Sequence, residues 1–151
     1  MSAITIRQAV LSDLEALAPL FDSYRQFYGR ASDTHAASEF LLARFNHGES
    51  VLFIALEGGN PVGFTRLYPS FSSVSLARTF VLSDLFVNER ARKKGVGSKL
   101  MSAAVEFAGT LGAVRVSLST ATTNETAQAL YQSAGWKRDE QFFVYHFTIP
   151  E

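Results

Sequence analysis

The spacing of hydrophobic positions changes several times along the 151-residue chain, and each change predicts a new element. Residues 4–7 alternate between apolar and polar side chains, which is typical of a short half-buried strand. Apolar residues then recur at helical spacing over residues 14–24, and Ser12 or Asp13 is placed to cap that helix. Pro19 lies within this stretch and predicts a kink or a split, because proline removes one backbone donor.

A second helix and a group of strands follow. Asp33 predicts the start of the helix, its apolar positions include Phe40 and Leu41, and Gly48 predicts its end. Residues 51–56 and 61–68 predict two strands joined by the turn sequence Glu57-Gly58-Gly59-Asn60. The serine-rich residues 69–75 predict a loop, and the β-branched and aromatic residues 78–87 predict a long strand.

The last third of the chain predicts a helix at residues 95–111, a strand at 114–119, a helix ending before Gly135 and a final strand at 141–149. The resulting order, β-α-α-β-β-β-α-β-α-β, combines an antiparallel meander with a parallel crossover unit. We therefore expect an α/β fold in which helices cover both faces of one sheet, formed by a single domain over residues 1–151.

Composition and charge exclude several classes of protein. The hydrophobic fraction of 47% is that of a packed globular chain, and 14 basic residues balance 14 acidic ones, so an attraction to nucleic acid or to an anionic membrane is not expected. Without cysteine, disulfides and cysteine nucleophiles are excluded. No signal peptide or membrane-length apolar run is apparent, which makes the cytoplasm the default location. His35, His47 and His146 do not have metal-ligand spacing, and no metal is expected.

Candidate chemistry begins where the strand at 78–87 meets the helix at 95–111. Arg92-Lys93-Lys94 is followed by Gly95-Val96-Gly97 and Ser98. A helix N-terminus exposes backbone N–H groups, glycine lets a phosphate approach the backbone, and the basic side chains add charge. The same residues would equally form only a tight turn with a solvated basic rim. Neither the P-loop spacing nor the full dinucleotide glycine spacing is present.

A second motif, Asn124-Glu125-Thr126-Ala127-Gln128-Ala129-Leu130-Tyr131, leads to Gly135-Trp136. Together the two motifs resemble the GNAT superfamily of N-acetyltransferases, whose fingerprint Arg/Gln-x-x-Gly-x-Gly/Ala is matched by residues 92–97. Asp84-Leu85-Phe86-Val87 is most similar to the fourth strand of the diamine and polyamine acetyltransferase branch. The resemblance implies a mostly antiparallel sheet whose fourth strand bulges and splays from the fifth.

The resemblance also implies acetyl-CoA as cofactor and assigns residues to it. Backbone groups of Leu85, Phe86 and Val87 would pair with the pantetheine arm and the acetyl group, and Asn124 would lie near the arm. The residues implied around the pyrophosphate are Arg92, Lys93, Lys94, Gly95, Val96, Gly97 and Ser98. Tyr131 would lie near the thioester sulfur and protonate the departing thiolate after direct attack by a neutral amine, and a backbone N–H of residues 85–87 would stabilise the oxyanion.

The proton acceptor is less clear, because Ser83 stands where diamine acetyltransferases have a carboxylate. Asp84 could accept the amine proton, bind an ammonium group, or simply satisfy backbone donors. Aromatic and acidic residues suited to a small cationic amine lie in the segments that wall the acceptor site of this family: Tyr24, Tyr28, Asp33, Tyr68 and Asp84. The aromatic residues could instead belong to the core.

The expected function is therefore transfer of an acetyl group to a primary amine of a small molecule. Acetylation of protein N-termini or lysines is the alternative among enzymes, and a non-catalytic acyl-CoA-binding module is the alternative of another class. A homodimer, common in the family, would be compatible with the apolar residues 142–145 of the final strand.

Overall fold

The structure is a computed structural model that describes residues 3–151, so the first two residues of the predicted domain lie outside it. The chain forms two compact units, Met1–Ser119 and Thr120–Glu151. Each unit is described by itself.

The first unit is an open five-stranded sheet with three helices. Its strands are β1 (Ile4–Gln8), β2 (Val51–Glu57), β3 (Asn60–Ser72), β4 (Ala77–Val87) and β5 (Arg115–Ser117). Its helices are α1 (Leu14–Phe27), α2 (Thr34–His47) and α3 (Val96–Thr110). The strands lie in the order β1-β2-β3-β4-β5, and every pair is antiparallel except β4–β5. The prediction of a mixed, mostly antiparallel sheet is confirmed.

Helices cover both faces of this sheet, because successive residues of a strand point to opposite sides. Leu52 and Ile54 of β2 belong to a buried cluster that includes residues of α1 and α2. Phe53, between them, lies with its ring centroid 5.6 Å from that of Phe107 in α3. The continuous apolar run of β2 is thus buried on both faces of the sheet, and the expectation that helices cover both faces is confirmed.

The β4 strand has two irregularities that matter for the site. Its pairing with β5 is limited to Thr79–Val81, so residues 82–87 of β4 continue without a β5 partner. On the other side, Arg66 of β3 lies opposite Asp84 while Leu67 lies opposite Leu82, which leaves Ser83 as the extra residue of a β-bulge. The expected bulge and splay of the fourth strand are both observed.

The capping residues predicted from sequence are correct for α2 but not for α1. Asp33 caps α2 by accepting a hydrogen bond from the Ala36 N–H at 3.0 Å, and Gly48 ends the helix with a φ of 59°, as predicted. Asp13 precedes α1 but its carboxylate accepts from the Val10 N–H at 2.8 Å instead of capping the helix. Pro19 lies inside α1 and does not split it.

The predicted loop at residues 69–75 is shorter than expected. β3 continues through Pro69, which lies opposite Phe80, as far as Ser72, and only residues 73–76 form the turn. Backbone pairing with β4 therefore overrides the turn preference of proline and serine in this segment. By contrast, β5 has three residues where six were expected.

The second unit contains α4 (Glu125–Ser133). The predicted strand at residues 141–149 was wrong, since this segment has no regular secondary structure. Phe143 and Tyr145 are 90% and 91% exposed. A segment rich in Phe, Val and Tyr does not make a strand by composition alone, because the backbone must also pair with a neighbouring strand. Within residues 3–151, no helix combines the length and the apolar character that crossing a membrane requires.

Candidate active site

The turn between β4 and α3 leaves an uncapped helix N-terminus. Gly95 is the N-cap residue of α3, so the cap position has no side chain that could accept a hydrogen bond from the first turn. Gly95 has a φ of 77°, and a Cβ added there would meet no atom within 4 Å, so the space beside this backbone is open. Lys93 also has a positive φ, 64°, which is unusual for a residue with a side chain. Free N–H groups and the helix dipole make this position suitable for an anion.

Two basic side chains of this turn are held by neighbouring strands. The Lys94 Nζ lies 3.2 Å from the nearer carboxylate oxygen of Glu57, at the end of β2. The Arg92 Nε donates to the Val87 carbonyl at 3.0 Å, and its guanidinium lies 5.9 Å from the Phe86 ring centroid. The basic charge therefore lies at the end of β4, next to the uncapped helix.

The last residues of β4 pair with another strand on one edge only, within the part of the chain that the structure describes. Leu85, Phe86 and Val87 lie opposite residues 63–65 of β3. Gly63 is needed for this close approach, because a Cβ there would lie 2.7 Å from the Phe86 carbonyl oxygen. Since β5 does not reach this far, the other edge of β4 can pair with an extended amide-bearing ligand.

Asp84 lies in a buried polar cluster with Arg66, Tyr24 and Tyr68. The Asp84 Oδ2 is 3.3 Å from the Arg66 Nε, and the Arg66 Nη1 donates to the Tyr68 hydroxyl at 2.7 Å. The Arg66 side chain has no exposed surface, and that of Asp84 is 14% exposed. Burial raises the pKa of the Asp84 carboxyl, against the attraction of Arg66 and a hydrogen bond with the Tyr24 side chain. A carboxylate with a raised pKa is a better proton acceptor near neutral pH.

Aromatic rings surround this cluster. The Tyr24 ring centroid lies 5.2 Å from that of Tyr28, 5.7 Å from Phe64 and 6.1 Å from Phe86. Tyr28 follows the end of α1 and is 62% exposed, so the aromatic group extends from the core to the surface. Four of the predicted acceptor-site residues are thus connected to one another through Arg66 and Tyr24: Tyr24, Tyr28, Tyr68 and Asp84.

The remaining predicted residues have other contacts. Asp33 caps α2, and its own N–H donates to Asp22 at 2.7 Å. In the second unit, Asn124 caps α4 by accepting from the Ala127 N–H at 3.1 Å, and the Tyr131 ring lies 6.2 Å from that of Trp136. No group of three or more acidic or histidine side chains in residues 3–151 is arranged to hold a metal ion.

Sequence reasoning missed Arg66. Its residue type gave a signal, because Phe64, Arg66 and Tyr68 alternate along β3 and share one face of the sheet. An arginine between two aromatic residues on a core-facing stripe requires a buried partner. Its guanidinium also lies 5.1 Å and 5.3 Å from the ring centroids of Phe21 and Phe40. The identity of the partner, Asp84, could not be read without the strand register.

Comparison with known proteins gives a consistent result. The model of the acetyltransferase (GNAT) family matches residues 17–136. The chain is 48% identical to the uncharacterized N-acetyltransferase YhfO of Bacillus subtilis (strain 168), over 97% of this chain and 99% of that protein. It is 31% identical to the D-amino-acid N-acetyltransferase HPA3 of Saccharomyces cerevisiae, over 93% and 89% of the two chains. A solved structure described as a probable acetyltransferase superposes with a TM-score of 0.92 at 42% identity, covering 97% of this chain and 99% of that one.

Proposed function

This chain belongs to the GNAT acetyltransferase family and is an acyltransferase, and from that premise we propose that it transfers an acetyl group from acetyl-CoA to a primary amine of a small molecule by direct attack. One observation carries the proposal. The edge of β4 that β5 leaves open is followed, after a connection of residues 88–95 that contains a 3-10 turn at Glu89–Ala91, by the N-terminus of α3. An extended ligand that ends in a diphosphate fits both features.

The donor side of this arrangement fits coenzyme A. The free N–H groups of Val96, Gly97 and Ser98 would receive the pyrophosphate, and the open space at Gly95 would admit it. The charges of Arg92, Lys93 and Lys94 would complement the anion. The pantetheine amides would pair with residues 85–87, with Asn124 assigned to the same arm by the family motif. When bound, acetyl-CoA supplies an activated thioester.

The reaction joins the amine nitrogen to the acetyl carbon, breaks the carbon–sulfur bond and releases one proton from the nitrogen. We assign that proton to the Asp84 carboxylate, directly or through a water molecule, because burial raises the pKa of this carboxyl. A backbone N–H of residues 85–87 would stabilise the negative charge that develops on the acetyl oxygen. The Tyr131 hydroxyl is assigned to the departing thiolate, to which it would donate a hydrogen bond and then a proton.

The acceptor site is assigned to the aromatic residues around Asp84. Tyr24, Tyr28 and Tyr68 would contact the amine through their ring faces and hydroxyls. Asp33 is kept as a candidate contact, although its carboxylate also caps α2. Three further expectations stay predictions: a single N-acetyltransferase domain over residues 1–151, a cytoplasmic location and a homodimer.

The experiment that tests this proposal measures free thiol released from acetyl-CoA with a panel of polyamines, aminoglycosides, amino acids and peptides. We expect turnover with small amines. We expect Tyr131→Phe to lower kcat by roughly 10²-fold or more, without changing the Kd of acetyl-CoA. Tyr145→Phe is the matched control, because Tyr145 is 91% exposed.

Other outcomes would favour the alternatives. Turnover restricted to peptides would indicate acetylation of proteins. Tight binding of acetyl-CoA without turnover on any amine, unaffected by Tyr131→Phe, would indicate a binding module and would refute the proposed enzyme activity.

A further inference from the structure

The charge of the acceptor site is already balanced within the protein. Asp84 supplies the carboxylate in this part of β4. Its Oδ2 lies 3.3 Å from the Arg66 Nε, and the Arg66 side chain has no exposed surface. Ser83, which precedes Asp84, is neutral. Buried charges are screened little by solvent, so the positive charge of Arg66 cancels most of the field of Asp84.

Asp22 and Asp33, the carboxylates at the connection between α1 and α2, are engaged by hydrogen bonds within that connection, and Asp33 accepts from the Ala36 N–H at the start of α2. The Asp22 carboxylate accepts hydrogen bonds from Gln26, Ser32 and the Asp33 N–H, and so belongs to the connection between α1 and α2. On the other side, the Arg92 guanidinium lies near the Phe86 ring. If Arg92 serves the pyrophosphate, the remaining pair of Asp84 and Arg66 is neutral.

A polyamine is poorly matched to a neutral site. After one amine loses its proton to become the nucleophile, each other ammonium still carries a charge that must be desolvated against an opposite charge. An amino acid differs here, since its own carboxylate can compensate a second cation or interact with a positive group.

Arg66 acts on the acceptor site through its charge. Its side chain has no exposed surface, its Nε faces the Asp84 carboxylate at 3.3 Å outside hydrogen-bond geometry, and its buried Nη2 makes no hydrogen bond with any of residues 3–151. Because little solvent screens the guanidinium, its positive charge attracts a carboxylate bound nearby without direct contact.

We propose that the acceptor is an amine that carries its own carboxylate, of the amino-acid type, and that Arg66 sets this preference by neutralising Asp84 and by attracting the carboxylate through its charge. The inference rests on the proposed function and specifies its substrate class. The relative HPA3, 31% identical to this chain, is named a D-amino-acid N-acetyltransferase, which agrees in chemical class.

The test uses acceptors that differ only by the carboxylate. Lysine is cadaverine with one added carboxylate, and ornithine is putrescine with one added carboxylate, so each pair has the same amines and spacing. Both enantiomers of each amino acid are included. We expect kcat/KM for the better enantiomer to exceed that of the matched diamine by about fivefold to tenfold, the scale of one charge interaction. Equal rates, or a preference for the diamines, would overturn the inference while leaving the proposed function intact.

Variants then test the part assigned to Arg66. Arg66→Gln removes the charge, and we expect the preference for the amino acid to fall by about fivefold to tenfold. Arg66→Lys keeps the charge and is expected to retain most of the preference. Arg138→Gln is the matched control, since Arg138 pairs with Glu140 at 3.0 Å on the exposed surface. A general loss of stability or active protein lowers the rates with both acceptors alike. The ratio of the two kcat/KM values on one variant therefore reports only the preference between the acceptors.

Each remaining outcome is decisive. An unchanged ratio in a folded Arg66→Gln variant would refute the role of Arg66. If circular dichroism shows that this variant does not fold, the ratio measured on the wild type and on Arg66→Lys still tests the inference. Loss of the preference in a folded Arg66→Lys variant would contradict a role of Arg66 based on charge. Absence of turnover with every amine would instead count against the proposed function.

Discussion

Replacing Gly63 by alanine should move the part of β4 that lines the proposed donor site. The new Cβ would lie 2.7 Å from the Phe86 carbonyl oxygen and 3.3 Å from the Leu100 Cδ1. The Leu100 side chain can rotate away, whereas the carbonyl belongs to the backbone of β4. Because the first contact is with backbone, the two strands must separate locally.

The size of the effect follows from that distance. Contacts of a Cβ are essentially never shorter than 3.0 Å and ordinary ones begin at 3.4 Å, so β4 must retreat by about 0.3–0.7 Å at Phe86. Inserting a methyl group into a closely packed site costs about 1–3 kcal/mol. Residues 85–87 would shift relative to the N-terminus of α3. Since a displacement of about 1 Å in an active site can cost 10²-fold, a shift of half that size should cost about tenfold in kcat/KM for acetyl-CoA.

The assay is urea unfolding together with steady-state kinetics. With an m-value of about 2 kcal/mol/M, the urea midpoint of Gly63→Ala should fall by roughly 0.5–1.5 M. The matched control is Gly109→Ala in α3, where an added Cβ would meet no atom within 4 Å. Alanine at that helical position should stabilise the protein by about 0.5–1 kcal/mol without affecting catalysis. A Gly63→Ala protein as stable and as active as the wild type would refute the reasoning.

Three further changes have distinct expected results. Burial raises the pKa of Asp84, and the positive charge of Arg66 opposes that rise. Arg66→Gln should therefore shift the acid limb of the pH profile of kcat to higher pH, measured with the same acceptor. A shift to lower pH would contradict the role of Asp84 as proton acceptor. Hydrogen bonding to Arg7 lowers the pKa of Asp13, so this carboxylate stabilises the fold above its ordinary pKa, and the stabilisation is lost as pH falls through the lowered value. Asp13→Asn should therefore lose less stability than the wild type between pH 7 and pH 2 in urea unfolding. Equal losses in the two proteins would count against the Arg7–Asp13 pair. Lys93→Gly should relieve the strain of the positive φ, raise the free energy of unfolding by up to about 1 kcal/mol and weaken acetyl-CoA binding in calorimetry. Lys93→Ala keeps the strained conformation, so it should weaken binding without raising the free energy of unfolding.

What could be predicted from sequence was mainly local. The ends of α2 were correct because Asp33 and Gly48 act on backbone groups within a few residues of themselves. The glycine turn before α3 was located for the same reason. The predicted strand at residues 141–149 was wrong because strand formation depends on a partner elsewhere in the chain, which a content of Phe, Val and Tyr does not specify.

The candidate site was predicted in its members but not in its electrostatics. Tyr24, Tyr68 and Asp84 were expected together, and they are connected. Arg66, which joins them and removes the negative charge expected at a polyamine site, was not expected. Its position opposite Asp84 depends on the pairing of β3 with β4, and that pairing shifts by one residue at Ser83.

That one-residue shift decides which side of the sheet each β4 side chain reaches. Before it, Phe80 packs against Phe107 on the α3 side, whereas after it Phe86, also an even-numbered residue, contacts Tyr24 on the α1 side. Even-numbered residues of β4 therefore face opposite sides of the sheet before and after Ser83. Deleting position 83 would let Asp84 follow Leu82 directly and stay opposite Arg66, so this pair would survive while the bulge would be lost. During divergence of this sequence, selection at position 83 should therefore act through the bend of β4 that the bulge produces, and not through the contact between Arg66 and Asp84.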